Sequence, residues 1–148
     1  MRSVKRKDPD RLAALRSAMI LDSSPERAFD DMARLLSTTL DAPIALVNLL
    51  DEDRDWFKAH VGTELNQSDA ATSLCEVFFT NDADLIVVPD TTLDSRFTAN
   101  PLVTGRPHVR FYAAARLMVD NQTIGTLCVY DFKPRPPRDR MFHRQTVR

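Results

Sequence analysis

The sequence predicts an α+β domain built on an antiparallel sheet, and three observations carry that prediction. Two runs with a period of two, Phe111–Val119 and Thr123–Asp131, flank the turn pair Asp120-Asn121 and read as a β-hairpin. Phe29, Met32, Ala33, Leu36 and Leu40 fall on one face of a helix. Ala42 to Leu50 is apolar on both faces, which marks a central strand covered from both sides.

Taken in order, Leu12, Leu15 and Met19 give Pro9 to Ala18 the spacing of a short helix, which Ile20 to Ser24 breaks. Ser23 with Glu26 three residues on, or Ser24 followed by Pro25, starts the second helix, which runs to Leu40. After the strand Ala42–Leu50, the polar run Asp51 to Arg54 is a turn and Asp55 to Val61 returns as its partner strand. Gly62 to Thr72 reads as a loop. Ser73 stands three before Glu76 and opens a short helix carrying Leu74, Val77 and Phe78 on one side. Leu85 to Val88 is a buried-looking strand, and residues 88–110 form a long loop ahead of the hairpin. Five strands, two N-terminal helices and one crossing helix result.

At 148 residues, 43% of them hydrophobic and 28% charged, the chain is one domain able to bury a core without staples. Its longest nearly apolar run is too short to span a bilayer, and the start, MRSVKRKDPD, lacks the apolar centre of a signal peptide. Two cysteines, Cys75 and Cys128, do not make a disulfide framework, so both are expected reduced in a cytoplasmic protein. Ten of the 20 Lys and Arg lie in residues 1–7 and 133–148, against one of the 21 acids, so the body keeps ten bases and twenty acids. An acidic body repels phosphate backbones and anionic surfaces, which argues against nucleic-acid or membrane partners. The division expected is a basic tail over 1–8, the domain over 9–133, and a basic Pro-rich tail or linker over 134–148.

The 88–110 loop concentrates Asp90, Arg96, Asn100, His108 and Arg110, with Tyr112 on the strand that follows. Long loops of this kind serve as lids or binding loops. The small residues Ala113, Ala114 and Ala115 leave room above the sheet, and the expectation is a small anionic or polar ligand between sheet and loop. Alternatively, both arginines pair with Asp90 or Asp94 and hold the loop in place. Cys75 lies in the first turn of the predicted helix after Ser73, where a thiolate is favoured; the competing reading is a small buried hydrophobe. His60, His108 and His143 are scattered and make no metal site, and three separated glycines make no phosphate loop.

Several separated motifs resemble the GAF domains of bacterial sensory proteins. They are Val88-Pro89-Asp90, Asp94 with Arg96-Phe97, Asn100-Pro101-Leu102-Val103, Arg110-Phe111-Tyr112-Ala113 and Ile124-Gly125-Thr126-Leu127-Cys128-Val129. Upstream, Ile20-Leu21-Asp22-Ser23, Trp56-Phe57-Lys58 and Ser73-Leu74-Cys75 are similar to a subgroup attached to histidine kinases or diguanylate cyclases. The resemblance implies a PAS-related central antiparallel sheet of five or six strands with helices on both faces. It implies a non-catalytic regulatory module, a homodimer, that binds a small molecule and controls an output kinase or cyclase. The cofactor stays unknown. The ligand-binding candidates are Ser73, Cys75, Asp90, Arg96, Asn100, His108, Arg110 and Tyr112. The alternative is a thiol-dependent enzyme of the same fold, similar to methionine sulfoxide reductases and using Cys75, although their cysteine constellation and a bilin-type Cys-His pair are both missing. The chain also departs from the subgroup: Ala114 and Arg116 stand where a glycine and a proline are expected.

Overall fold

A computed structural model describes residues 4–136. Six antiparallel strands form one sheet: β1 (Ile44–Leu50), β2 (Arg54–Val61), β3 (Gln67–Asp69), β4 (Leu85–Val88), β5 (Phe111–Val119) and β6 (Gln122–Asp131), in the order β3-β2-β1-β6-β5-β4. The doubly apolar β1 sits inside the sheet between β2 and β6, and all seven of its residues are buried. Asp120 and Asn121 both take positive φ, 51° and 62°, which gives the β5–β6 hairpin the turn that matches strand twist. The short strand β3 lies within the stretch read as a plain loop; three polar residues, Gln67-Ser68-Asp69, carry no apolar alternation that would announce it.

Two helices cover one face. α1 (Pro9–Ser17) is capped by the Asp8 side chain, which accepts from the Arg11 amide, and starts on proline. It lays Leu12 and Leu15 against Leu49, Trp56 and Ile124. α2 (Arg27–Leu40) sets Phe29, Ala33, Leu36 and Leu40 over Val47, Ala59 and Phe111. Its start differs from the capping expectation. Glu26 is the N-cap and makes no side-chain cap bond, its carboxylate facing the Lys58 ammonium at 2.7 Å, while the Ser23 hydroxyl donates to the Ile20 carbonyl and accepts from Lys58.

The opposite face is closed by loops and single turns: 3-10 turns at Ala70–Thr72, Leu74–Phe79 and Thr91–Leu93, and the one-turn helix α3 (Pro101–Thr104). Under them lies the larger core, with Leu46, Phe57, Phe78, Phe97, Val109, Tyr112 and Tyr130. Two bulges change which side chains meet it. In β2, Asn48 pairs with Phe57 and Val47 with Ala59, so Lys58 is the extra residue and strict alternation along the strand fails. In β6, Ile124 is passed over between Gly125 and Thr123 and turns to the helical face.

The segments read as basic tails are partly built into the domain. Arg6 is 6% exposed and inserts beside β2, while Arg135 donates to the Leu40 and Asp41 carbonyls that end α2. Residues 137–148, the rest of the expected C-terminal tail, lie outside the described residues. Among the described residues no helix is long and apolar enough to cross a membrane.

Candidate functional site

The polar heart of the loop-covered face begins on β1. Asn48 points from the central strand into an otherwise apolar face and is fully buried. Its amide donates to Asp55 Oδ2 at 3.0 Å, and its Oδ1 has no hydrogen-bond partner among the described residues. Asp55, 2% exposed, also accepts from Ser73 Oγ at 2.5 Å and from the Arg6 guanidinium at 3.0 Å. Burial raises the Asp55 carboxyl above the ordinary carboxylate range, although Arg6, Ser73 and Asn48 work in the other direction.

Arg6 completes a box. Its Nε donates to Glu76 Oε1 at 2.9 Å and its Nη1 to the Asp51 carbonyl at 2.8 Å. The neighbouring Arg11, also buried, grips the Arg6 carbonyl at 2.8 and 2.6 Å, and both guanidinium groups stack on Phe79. Burial, then the charge of Arg6, lowers the Arg11 guanidinium to about 10. Beside this box opens a cleft of about 1170 Å³, walled by Lys5–Lys7, the 69–80 segment and Arg96–Asn100.

The eight expected ligand residues divide among several places. Ser73, Arg96 and Asn100 border the cleft. Cys75 and Tyr112 lie below it, both fully buried, with Cys75 Sγ 3.0 Å from Tyr112 Oη and 3.1 Å from Thr126 Oγ1. The Tyr112 ring packs between Phe97 and Tyr130, so the space expected between sheet and loop is occupied by aromatic core. Asp90 caps the turn Thr91–Leu93 and borders a separate groove of about 430 Å³ with Arg135. Asn100 caps α3 and donates to the Thr72 carbonyl. His108 is exposed in the loop. Arg96 is committed to both carboxylate oxygens of Asp94, at 3.0 and 2.7 Å. Arg110 donates to the Val103 and Val109 carbonyls rather than to Asp90.

Residues 24–148 match the family model of the GAF domain. The chain belongs to the GAF family. A cyclic di-GMP phosphodiesterase of Pseudomonas aeruginosa is 35% identical to this GAF domain over 119 residues, 80% of the chain and 20% of that protein. The chain thus spans about a fifth of the length of this relative. In structure it is similar to the GAF domain of an Acinetobacter phosphoenolpyruvate-protein phosphotransferase, with a TM-score of 0.58, 16% identity and coverage of 95% and 87% of the two chains. It is similar also to the free methionine-R-sulfoxide reductase of Neisseria meningitidis, with a TM-score of 0.59, 15% identity and coverage of 99% and 89%. Identity at that level speaks for the shared fold alone.

Within this GAF domain both cysteines are free thiols buried in the core. Burial is the strongest influence on Cys75 and opposes a thiolate; hydrogen bonds from Cys128, Thr126 and Tyr112 offset it and leave the group below the ordinary thiol value. Cys128 is pushed well up by its bond to Cys75 and by burial. The two sulfurs titrate as a pair, and Cys75 is 0% exposed beneath the loops.

Arg6, Arg11 and Asp55 carry the polar site and were not among the expected residues. Asn48 gave a signal, a polar side chain on the apolar face of a central strand; Asp55 was masked by its place in an acidic run at a hairpin tip. Arg116, the residue found where a proline was expected, is buried and donates to the Phe78, Asn81 and Ala83 carbonyls and to Thr123 Oγ1. It therefore pins the turn that ends the 74–79 segment.

Proposed function

We propose that this GAF domain is a non-catalytic sensory module of a cytoplasmic bacterial signalling protein, and that it takes a small polar ligand in the cleft beside Ser73, Arg96 and Asn100. The observation that carries this reading is the cleft itself. Charged walls stand over an apolar floor that includes Leu74, Val77 and Phe79, the usual form of a ligand site. The relative from Pseudomonas aeruginosa is an enzyme most of whose length lies outside the match. That supports a regulatory place for the domain beside a catalytic output unit, of which a kinase, a cyclase or a phosphodiesterase are examples. A homodimer belongs to the same reading, and Met32 and Leu35 supply exposed apolar positions on α2 for it.

The test has two arms on the full chain. Native mass spectrometry of protein isolated without unfolding is expected to show a retained small molecule, lost in Asn100→Ala. Incubation with free methionine sulfoxide and a thiol reductant is expected to give no turnover. Turnover that disappears in Cys75→Ala would establish the reductase instead.

A further inference from the structure

We propose that Asp55, Glu76 and the Asp51 carbonyl form a receptor for a guanidinium group, filled by Arg6 of the chain itself and taken over by a guanidinium-bearing small molecule entering through the adjoining cleft. The inference rests on the sensory reading above and names the class of its ligand. Every face of the box suits a planar fork of donors: a carboxylate at 3.0 Å, a second at 2.9 Å and a carbonyl at 2.8 Å. An ammonium, a point charge with three donors, does not match that layout.

Two further observations point to a receptor rather than a surface ion pair. The fully buried Asn48 amide is fixed on Asp55, and its Oδ1 has no hydrogen-bond partner among the described residues, so the network holds an acceptor that Arg6 does not use. Charge gives the second. Without Arg6 the cleft walls carry three bases, Lys5, Lys7 and Arg96, against the acids Glu52, Asp53, Asp69 and Glu76, with buried Asp55 behind them. A vacated box is thus acidic and selects a cation. Departure of Arg6 leaves the buried Asp55 carboxylate with only the neutral donors Ser73 and Asn48 among the described residues, a cost that arrival of a replacement cation removes.

Exchange is geometrically accessible. Glu76 is half exposed, at 51%, and faces the cleft, so the box has an open side. The other ion pair of the segment, Lys7 with Asp53, is a solvent contact, 68% and 79% exposed. Replacement of Arg6 would release its side chain from β2 while Arg11 still holds the Arg6 carbonyl, which turns ligand capture into a loosening of the N-terminal segment.

Agmatine, which joins a guanidinium to an ammonium, is the probe, and its diamine analogue cadaverine is the control. Calorimetric titration of the full chain is expected to show agmatine binding, strengthened about tenfold or more in Arg6→Ala, where no internal group competes. Cadaverine is expected to bind neither, and Asp55→Asn to abolish the effect. If Arg6→Ala is too unstable to titrate, agmatine and not cadaverine is expected to raise its unfolding midpoint. Equal agmatine affinity with and without Arg6, or cadaverine binding as well as agmatine, would overturn the proposal. So would no binding to the unmodified chain, or no rescue of an unstable variant. A retained metabolite in the native mass spectrum alongside those failures would leave the sensory reading standing and remove only the guanidinium assignment.

Discussion

Tyr112 and Tyr130, the only two tyrosines of the chain, are buried against each other, and burial raises both phenols well above 10. In the unfolded chain they ionise near their ordinary value, so above it the native state holds more protons and loses stability as pH rises. Phenolate absorbance is therefore expected to stay flat in the native protein and to appear in one step, together with the loss of circular dichroism. An early, separate phenolate signal would mean that one ring reaches solvent through the loop. Single residues also mark where sequence reading stops. Asp94 and Arg96 were legible as partners because they stand two apart, and Arg96 indeed holds the Asp94 carboxyl below its usual range. Arg6 with Asp55, 49 positions apart, leaves no local pattern. Nor did Arg116, whose partners are mostly backbone carbonyls that every sequence offers alike.

Among the elements, the amphipathic helix, the central strand and the hairpin were legible because each repeats its own period over several turns or pleats. The two bulges and β3 were not, since a bulge is set by the pairing of two strands and a three-residue polar strand has no period. The row Leu12, Leu15 and Met19 shows the same limit. Its helical spacing makes it a candidate dimer seam in the sequence, but Leu12 and Leu15 are buried on the sheet, Leu15 at 0% exposure, and Met19 alone projects, 84% exposed. Leu15→Asp is accordingly expected to cost at least about 3 kcal/mol in urea unfolding, as an unpartnered carboxylate would be buried. Leu35→Asp, on the exposed side of α2, is expected to leave the unfolding midpoint nearly unchanged while shifting light scattering from dimer toward monomer. A Leu15→Asp protein as stable as the parent would contradict the packing of α1.

At the scale of the molecule, the sheet has one face sealed by helices and the other by loops, and the loop face divides into a filled half and an open half. The filled half lies beneath α3 and the 88–110 loop, where Phe97, Val103, Val109 and Tyr112 meet. The open half lies between residues 5–7, the 69–80 segment and Arg96–Asn100. The family resemblance pointed to the loop-covered face of the sheet, and aromatic packing between distant segments determines which half of that face has room. On the proposed reading the open half receives the ligand. Backbone hydrogen exchange on the full chain, with and without the low-molecular-mass extract of its host cell, tests it most directly. The predicted result is altered exchange in residues 4–8, with slower exchange in 73–80 and 96–100. Slower exchange confined to 109–114, or no change anywhere, would contradict it.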